Sequence, residues 1–193
     1  GRAACAIAPG EHVHTHNLVT ALTGELAYRA GQAAVPQCAF DQAPSWRGYL
    51  RANGKAATRN EVWILPTVGC VGLTAEQVAR AAEQRHAGRI DGIHAFTHPH
   101  GCSQLGDDLD GTRALLAGLA ANPNAAGVLL LGLGCESNQL DALLAAVPET
   151  ERGKVRVLSS QSAGDELAMA AALVDELVEV AASARRKDLP LSA

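Results

Sequence analysis

Three of the five cysteines in this chain stand in matching surroundings. Gly69-Cys70, Gly101-Cys102 and Gly134-Cys135 each follow an apolar run of strand length, and the small neighbour lets backbone approach a ligand closely. Three thiolates with an open position suit a soft metal: zinc, or an iron–sulfur cluster with one iron free for substrate. Polar residues crowd the same places. Thr97-His98-Pro99-His100-Gly101-Cys102-Ser103-Gln104 brings two imidazoles and an amide, and Cys135-Glu136-Ser137-Asn138-Gln139 brings a carboxylate and two amides. Taken singly, each cysteine reads equally well as a small buried side chain. Cys5 and Cys38 stand in irregular sequence and have no such company.

Other residues carry chemistry with less context. His12, His14 and His16 alternate within Glu11-His12-Val13-His14-Thr15-His16-Asn17, so a strand would set all three imidazoles on one face. That face suits a metal, proton transfer or plain exposure. Arg59-Asn60 precedes the first regular strand; its guanidinium matches a carboxylate bidentately, or serves as a surface ion pair. Asp107 and Asp108 open a helix, where the dipole alone favours acids.

The elements that must position these residues are legible from residue 61 onward. Strands are predicted at 62–65, 90–96, 127–133 and 155–158. Helices are predicted at 74–86, with Thr74 as N-cap, and at 107–121, 138–147 and 165–187, the last ending in basic residues. This alternation predicts an α/β fold: a mainly parallel sheet with helices on both faces. The C-terminal ends of parallel strands share one edge, where ligands bind, so the three thiols should converge there. Residues 1–45 are turn-rich and too few for a core of their own.

Composition narrows the function. The chain has 193 residues, 48% hydrophobic and 19% charged, enough for one α/β domain and an appendage rather than a disordered chain. Only 3% are aromatic and the net charge is -4, which argues against a nucleic-acid partner. No apolar run is long enough to span a membrane, and no secretory signal is visible. With an odd cysteine count this places the chain in the reducing cytoplasm. A nucleotide-binding glycine fingerprint after the first strand is absent.

Several long motifs carry a resemblance. They are Gly10-Glu11-His12-Val13-His14-Thr15-His16-Asn17, Arg51-Ala52-Asn53-Gly54, Arg59-Asn60-Glu61-Val62-Trp63-Ile64-Leu65-Pro66-Thr67-Val68-Gly69-Cys70-Val71, His98 with Gly101-Cys102-Ser103-Gln104-Leu105-Gly106-Asp107-Asp108, and Gly132-Leu133-Gly134-Cys135-Glu136 with Asn138-Gln139. Together they resemble the altronate/galactarate dehydratase family, its altronate branch more than its galactarate branch. The resemblance implies a partial β-clip (SAF-like) segment at 1–24, a linker at 25–58, a middle α/β domain at 59–193, and a C-terminal domain beyond this sequence. It also implies a bacterial, homo-oligomeric hydro-lyase that converts D-altronate to 2-dehydro-3-deoxy-D-gluconate in hexuronate breakdown, using iron or manganese. The alternatives are a lyase acting on galactarate or another hydroxy acid, or a non-catalytic piece that dimerises or binds metal. On this reading Cys70, Cys102 and Cys135 hold ferrous iron or an iron–sulfur cluster, with His12, His14 and His16 as the other candidate set. His98 and Glu136 transfer protons, Glu136 only if burial raises its pKa. Arg59, Asn60, Gln104 and Asn138 orient the sugar acid.

Overall fold

The structure of the chain, a computed structural model, describes residues 1–20 and 44–191. These fall in two units, 1–39 and 40–193. Cys38 and much of the expected linker lie outside the described residues.

In the first unit, β1 (Arg2–Ala3) pairs antiparallel with β2 (Leu18–Val19). The residues between them are not the alternating strand that the sequence predicts. Asn17, fully buried, gathers them into a turn: its Oδ1 accepts from the His14 N–H at 2.9 Å and its Nδ2 donates to the His12 carbonyl at 2.9 Å. An Asn side chain that imitates backbone in this way competes directly with strand pairing.

The second unit opens with β3 (Ser45–Leu50) and β4 (Ala56–Ala57), both within the stretch expected to be linker. The Arg51-Ala52-Asn53-Gly54 motif is the turn between them, with Gly54 at φ 82°, a conformation that favours glycine. Then follow β5 (Glu61–Pro66), α1 (Gly72–Arg85), β6 (Gly92–Ala95), α2 (Gly106–Ala120) and β7 (Ala125–Gly132). The chain continues through α3 (Leu140–Ala146), a single helical turn α4 (Glu149–Arg152), β8 (Val155–Ser159), α5 (Glu166–Ala181) and β9 (Lys187–Pro190).

Strands β5 to β8 form a parallel sheet in the order β6-β5-β7-β8. Every residue of β5 is buried, and alternate side chains feed two cores. Val62, Ile64, Leu129 and Leu131 meet Val78, Ala82, Val174 and Val178 of α1 and α5, whereas Trp63, Leu65, Val128 and Leu130 meet Leu116, Ala120 and Leu143 of α2 and α3. Burying each of these larger side chains contributes about 1.5–3 kcal/mol, so both helical layers are held by the hydrophobic effect rather than by their propensities. The α/β fold with covered faces is as the sequence predicts. Among the described residues no helix is long and apolar enough to cross a membrane.

Two helix ends differ from expectation. Thr74 is not an N-cap, because α1 grows straight out of a 3-10 turn at Gly69–Val71 and starts at Gly72; the Thr74 hydroxyl donates to Glu166 instead. The last helix is capped by Asp165 but stops at Ala181 rather than near Lys187. Lys187 begins β9, which pairs antiparallel with β3 in a separate sheet of order β4-β3-β9, so strand pairing overrides helical propensity there.

Candidate active site

The chain leaves β5 for β6 on one side and then crosses to β7 on the other, so the strand order reverses at β5. Crevices at such a reversal, outside the carboxyl ends of the strands, are where open α/β sheets bind ligands. The turns after β5, β6 and β7 carry Cys70, Cys102 and Cys135 to that edge.

Backbone hydrogen bonds lace these turns together. The Gly69 N–H donates to the His100 carbonyl at 2.8 Å, and the Ser137 N–H donates to the Cys102 carbonyl at 2.8 Å. Position 69 has to be glycine for this approach, since a Cβ there would lie 2.9 Å from the His98 carbonyl oxygen. The turn after β8 joins through Gln161, whose N–H donates to the Leu133 carbonyl and whose side-chain amide lies 3.6 Å from the Cys135 thiol.

Two of the three thiols meet. Cys70 Sγ and Cys102 Sγ are 3.6 Å apart, close to the separation of about 3.8 Å that two sulfurs take on one tetrahedral metal at 2.3 Å each. The Cys102 thiol is pushed up to about 11, first by hydrogen bonding to Cys70, then by burial and by the charges of Cys70 and Cys135. Cys70 and Cys135 are exposed and Cys102 partly so. Among the described residues no set of three or more His, Cys, Asp or Glu side chains already surrounds one metal-sized point. Two sulfurs stand at ligand spacing, and the third acts on the same thiol. The chemistry of the Cys70–Cys102 pair fits a soft, thiolate-bound metal. The histidine set is a weaker fit: His12 and His14 stack face to face with centroids 5.9 Å apart, and all three imidazoles are exposed.

The predicted acid Glu136 is 3% exposed, and its carboxylate points into its own loop. Oε1 accepts from the Thr67 hydroxyl and, at 3.0 Å, from the Leu133 N–H; Oε2 accepts from the Gly134 N–H at 2.6 Å. Burial alone would raise its pKa, but these donors outweigh burial and hold it below the usual carboxylate range. The expectation of a burial-raised proton donor is reversed: Glu136 stays ionised and clamps the Cys135 turn to the end of β5.

His98 is part-buried beside the thiols. Its Nε2 donates to the Pro66 carbonyl at 3.0 Å, so Nδ1 is the acceptor, facing the His100 N–H at a long 3.3 Å. Burial lowers its pKa most, the Pro66 carbonyl opposes this, and His100 lowers it further, leaving a neutral ring. Next to it lies a cleft of about 440 Å³ lined by His98, His100, Gln104, Asp107, Asp108 and the adjoining face of α2. The Gln104 amide is steadied there by a 2.9 Å hydrogen bond to Thr112.

Arg59 and Asn60 are not at this edge. Both precede β5, and six strand residues at about 3.3 Å each put them roughly 17–20 Å from its carboxyl end. Arg59 pairs with Glu61 at 3.0 Å, and Asn60 is buried, donating to the Ala181 carbonyl and accepting from Arg51. The expected substrate clamp is a structural joint. Sequence reasoning in turn missed Thr67 and Gln161. A polar cluster after the fourth strand, Ser159-Ser160-Gln161-Ser162, was the available signal for Gln161.

Residues 48–184 match the family model described as D-galactarate dehydratase/Altronate hydrolase, second domain. The chain belongs to this family. The D-galactarate dehydratase/altronate hydrolase match covers both covered faces of the sheet and all three cysteine turns. Similar proteins include the altronate dehydratase of Bacillus subtilis, 40% identical, and that of Escherichia coli, 38% identical, each aligned over 100% of this chain and 39% of its own length. The chain thus spans about two fifths of these curated relatives. The (2R)-sulfolactate sulfo-lyase subunit beta of Chromohalobacter salexigens is 37% identical over 45% of this chain and 20% of its own. No solved structure matches.

Proposed function

We propose that this chain is the thiol-bearing α/β part of a cytoplasmic sugar-acid hydro-lyase that takes water from D-altronate to give 2-dehydro-3-deoxy-D-gluconate, with iron at Cys70, Cys102 and Cys135. The observation that carries this reading is the Cys70–Cys102 pair at ligand spacing on the sheet's ligand-binding edge, in a chain aligned along its whole length with altronate dehydratases. Bound there, iron would act as a Lewis acid on substrate oxygens.

The dehydration removes the proton α to a carboxylate and protonates the departing 3-hydroxyl. A base must be unprotonated near neutrality, and the lowered pKa of His98 keeps it so. Its Nδ1 is the atom that takes the proton, because Nε2 is committed to the Pro66 carbonyl and the His100 N–H holds Nδ1 only loosely. Gln104, fixed by Thr112, lines the adjoining cleft and orients hydroxyl groups. Glu136 keeps the Cys135 turn in register rather than moving protons.

The test is anaerobic loading of this chain with ferrous iron, with iron and acid-labile sulfide quantified, beside the dehydration rate of an enzyme that carries it. Each of Cys70→Ser, Cys102→Ser and Cys135→Ser is expected to lose most of the iron and the activity together. Iron and activity retained in all three variants would overturn the thiolate site.

A further inference from the structure

We infer that Arg113 and Asn138 form a binding subsite for the carboxylate of a hydroxy acid, between α2 and the turn that follows Cys135. This rests on the hydro-lyase reading for the identity of the ligand, though the geometry stands without it. Asn138 is 2% exposed. Its Oδ1 accepts from Arg113 Nε at 3.2 Å, while its Nδ2 has no hydrogen-bond partner. Among the described residues no other buried side-chain nitrogen or oxygen is left in this state.

Arg113 is also under-paired. Its side chain is 23% exposed, yet the acid near it, Asp110, reaches Nη1 only at 3.5 Å and is itself 74% exposed. A guanidinium withdrawn from water calls for a close anion, and a surface carboxylate at that range supplies little. Both groups offer donors alone, so what completes them is an acceptor carrying negative charge. The planar fork of arginine, steadied at Nε by Asn138, matches the two oxygens of a carboxylate. The 2.8 Å bond from the Ser137 N–H to the Cys102 carbonyl ties Asn138's segment to the thiol edge, so a carboxylate here would belong to the molecule bound at that edge.

The experiment titrates the ¹⁵N-labelled chain with D-altronate, with the alditol that lacks the carboxylate, and with inorganic phosphate, following the Arg113 Nε–H and Asn138 Nδ2–H₂ cross-peaks. The expected result is that D-altronate moves both cross-peaks and the other two do not. Arg113→Gln should then weaken D-altronate binding by about tenfold or more, the loss of a charge-assisted hydrogen bond, with Arg113→Lys in between. Unmoved cross-peaks, equal shifts with the alditol or with phosphate, or binding by Arg113→Gln within about twofold of the parent would each overturn the subsite. The cross-peak readout uses the unaltered chain, so a variant that fails to fold leaves the test decisive. Failure of the dehydration assay alone would refute the reaction and leave this subsite standing.

Discussion

A carboxylate's neighbours, more than its depth, decide what Glu136 can do. The Thr67 hydroxyl and the backbone N–H groups of Leu133, Gly134 and Glu136 itself hold its ionised form, so the stability it lends is complete above the ordinary glutamate value of 4.5 and is withdrawn as pH falls through its lower folded value. His98 is lowered too, and neutral imidazole is the form that folding favours, so its contribution is complete above the ordinary 6.5 and fades as pH falls through its own lowered value. Urea midpoints measured against pH should therefore fall in two stages on acidification. The His98→Gln variant should lack the upper stage, and Glu136→Gln the lower. Glu136→Gln should also cost about 1–3 kcal/mol at neutral pH, because an amide NH₂ would face backbone N–H donors that need an acceptor. A pH profile unchanged by either substitution would refute these roles.

At the scale of elements, the βα turns succeed or fail as a set. Gly69→Ala places a methyl group against the carbonyls of the β6 turn, and the two turns must part by a few tenths of an ångström. An unfolding cost of about 1–3 kcal/mol is expected, together with weaker iron binding as the Cys70–Cys102 spacing opens. Iron affinity equal to that of the parent would show that the spacing is not set here. The same elements show what the sequence disclosed. Period and turn residues located all four parallel strands, both covered faces and the edge that the three cysteine turns share, because each depends on local pattern and on one general rule of parallel sheets. Helix ends and pairing partners were not local. Nothing near Lys187 announces that it will pair with Gly48, and nothing near Glu11 announces that Asn17 will fold the histidines into a turn. Arg59 misled for a related reason: its type suits a carboxylate clamp, but its place before β5 sends it to the wrong edge.

The second unit as a whole is fastened at the edge opposite the thiols. Glu151, 4% exposed, accepts from Lys55 at 2.8 Å and Asn53 at 2.6 Å in the β3–β4 region and from Lys154 at 3.1 Å before β8. Burial would raise its pKa, but the two lysines bring it below the usual range. Removing it leaves the Lys154 ammonium, its side chain 17% exposed, on the Asn122 and Ala125 carbonyls but without the carboxylate that pairs its charge. Glu151→Ala should thus cost about 3 kcal/mol or more in chemical unfolding while leaving iron binding by the folded chain unchanged. Lost iron binding in the folded variant would mean that the two edges are coupled. The small antiparallel sheet adds a mechanical property. In β3 and β9, Ser45 lies opposite Pro190 and Gly48 opposite Lys187, so the polypeptide enters and leaves this unit side by side at the same end of the ribbon. Tension applied through residues 44 and 191 would peel the strands apart one hydrogen bond at a time instead of shearing them together. Under load the ribbon should yield first and at low force, leaving the buried parallel sheet and its three cysteine turns intact.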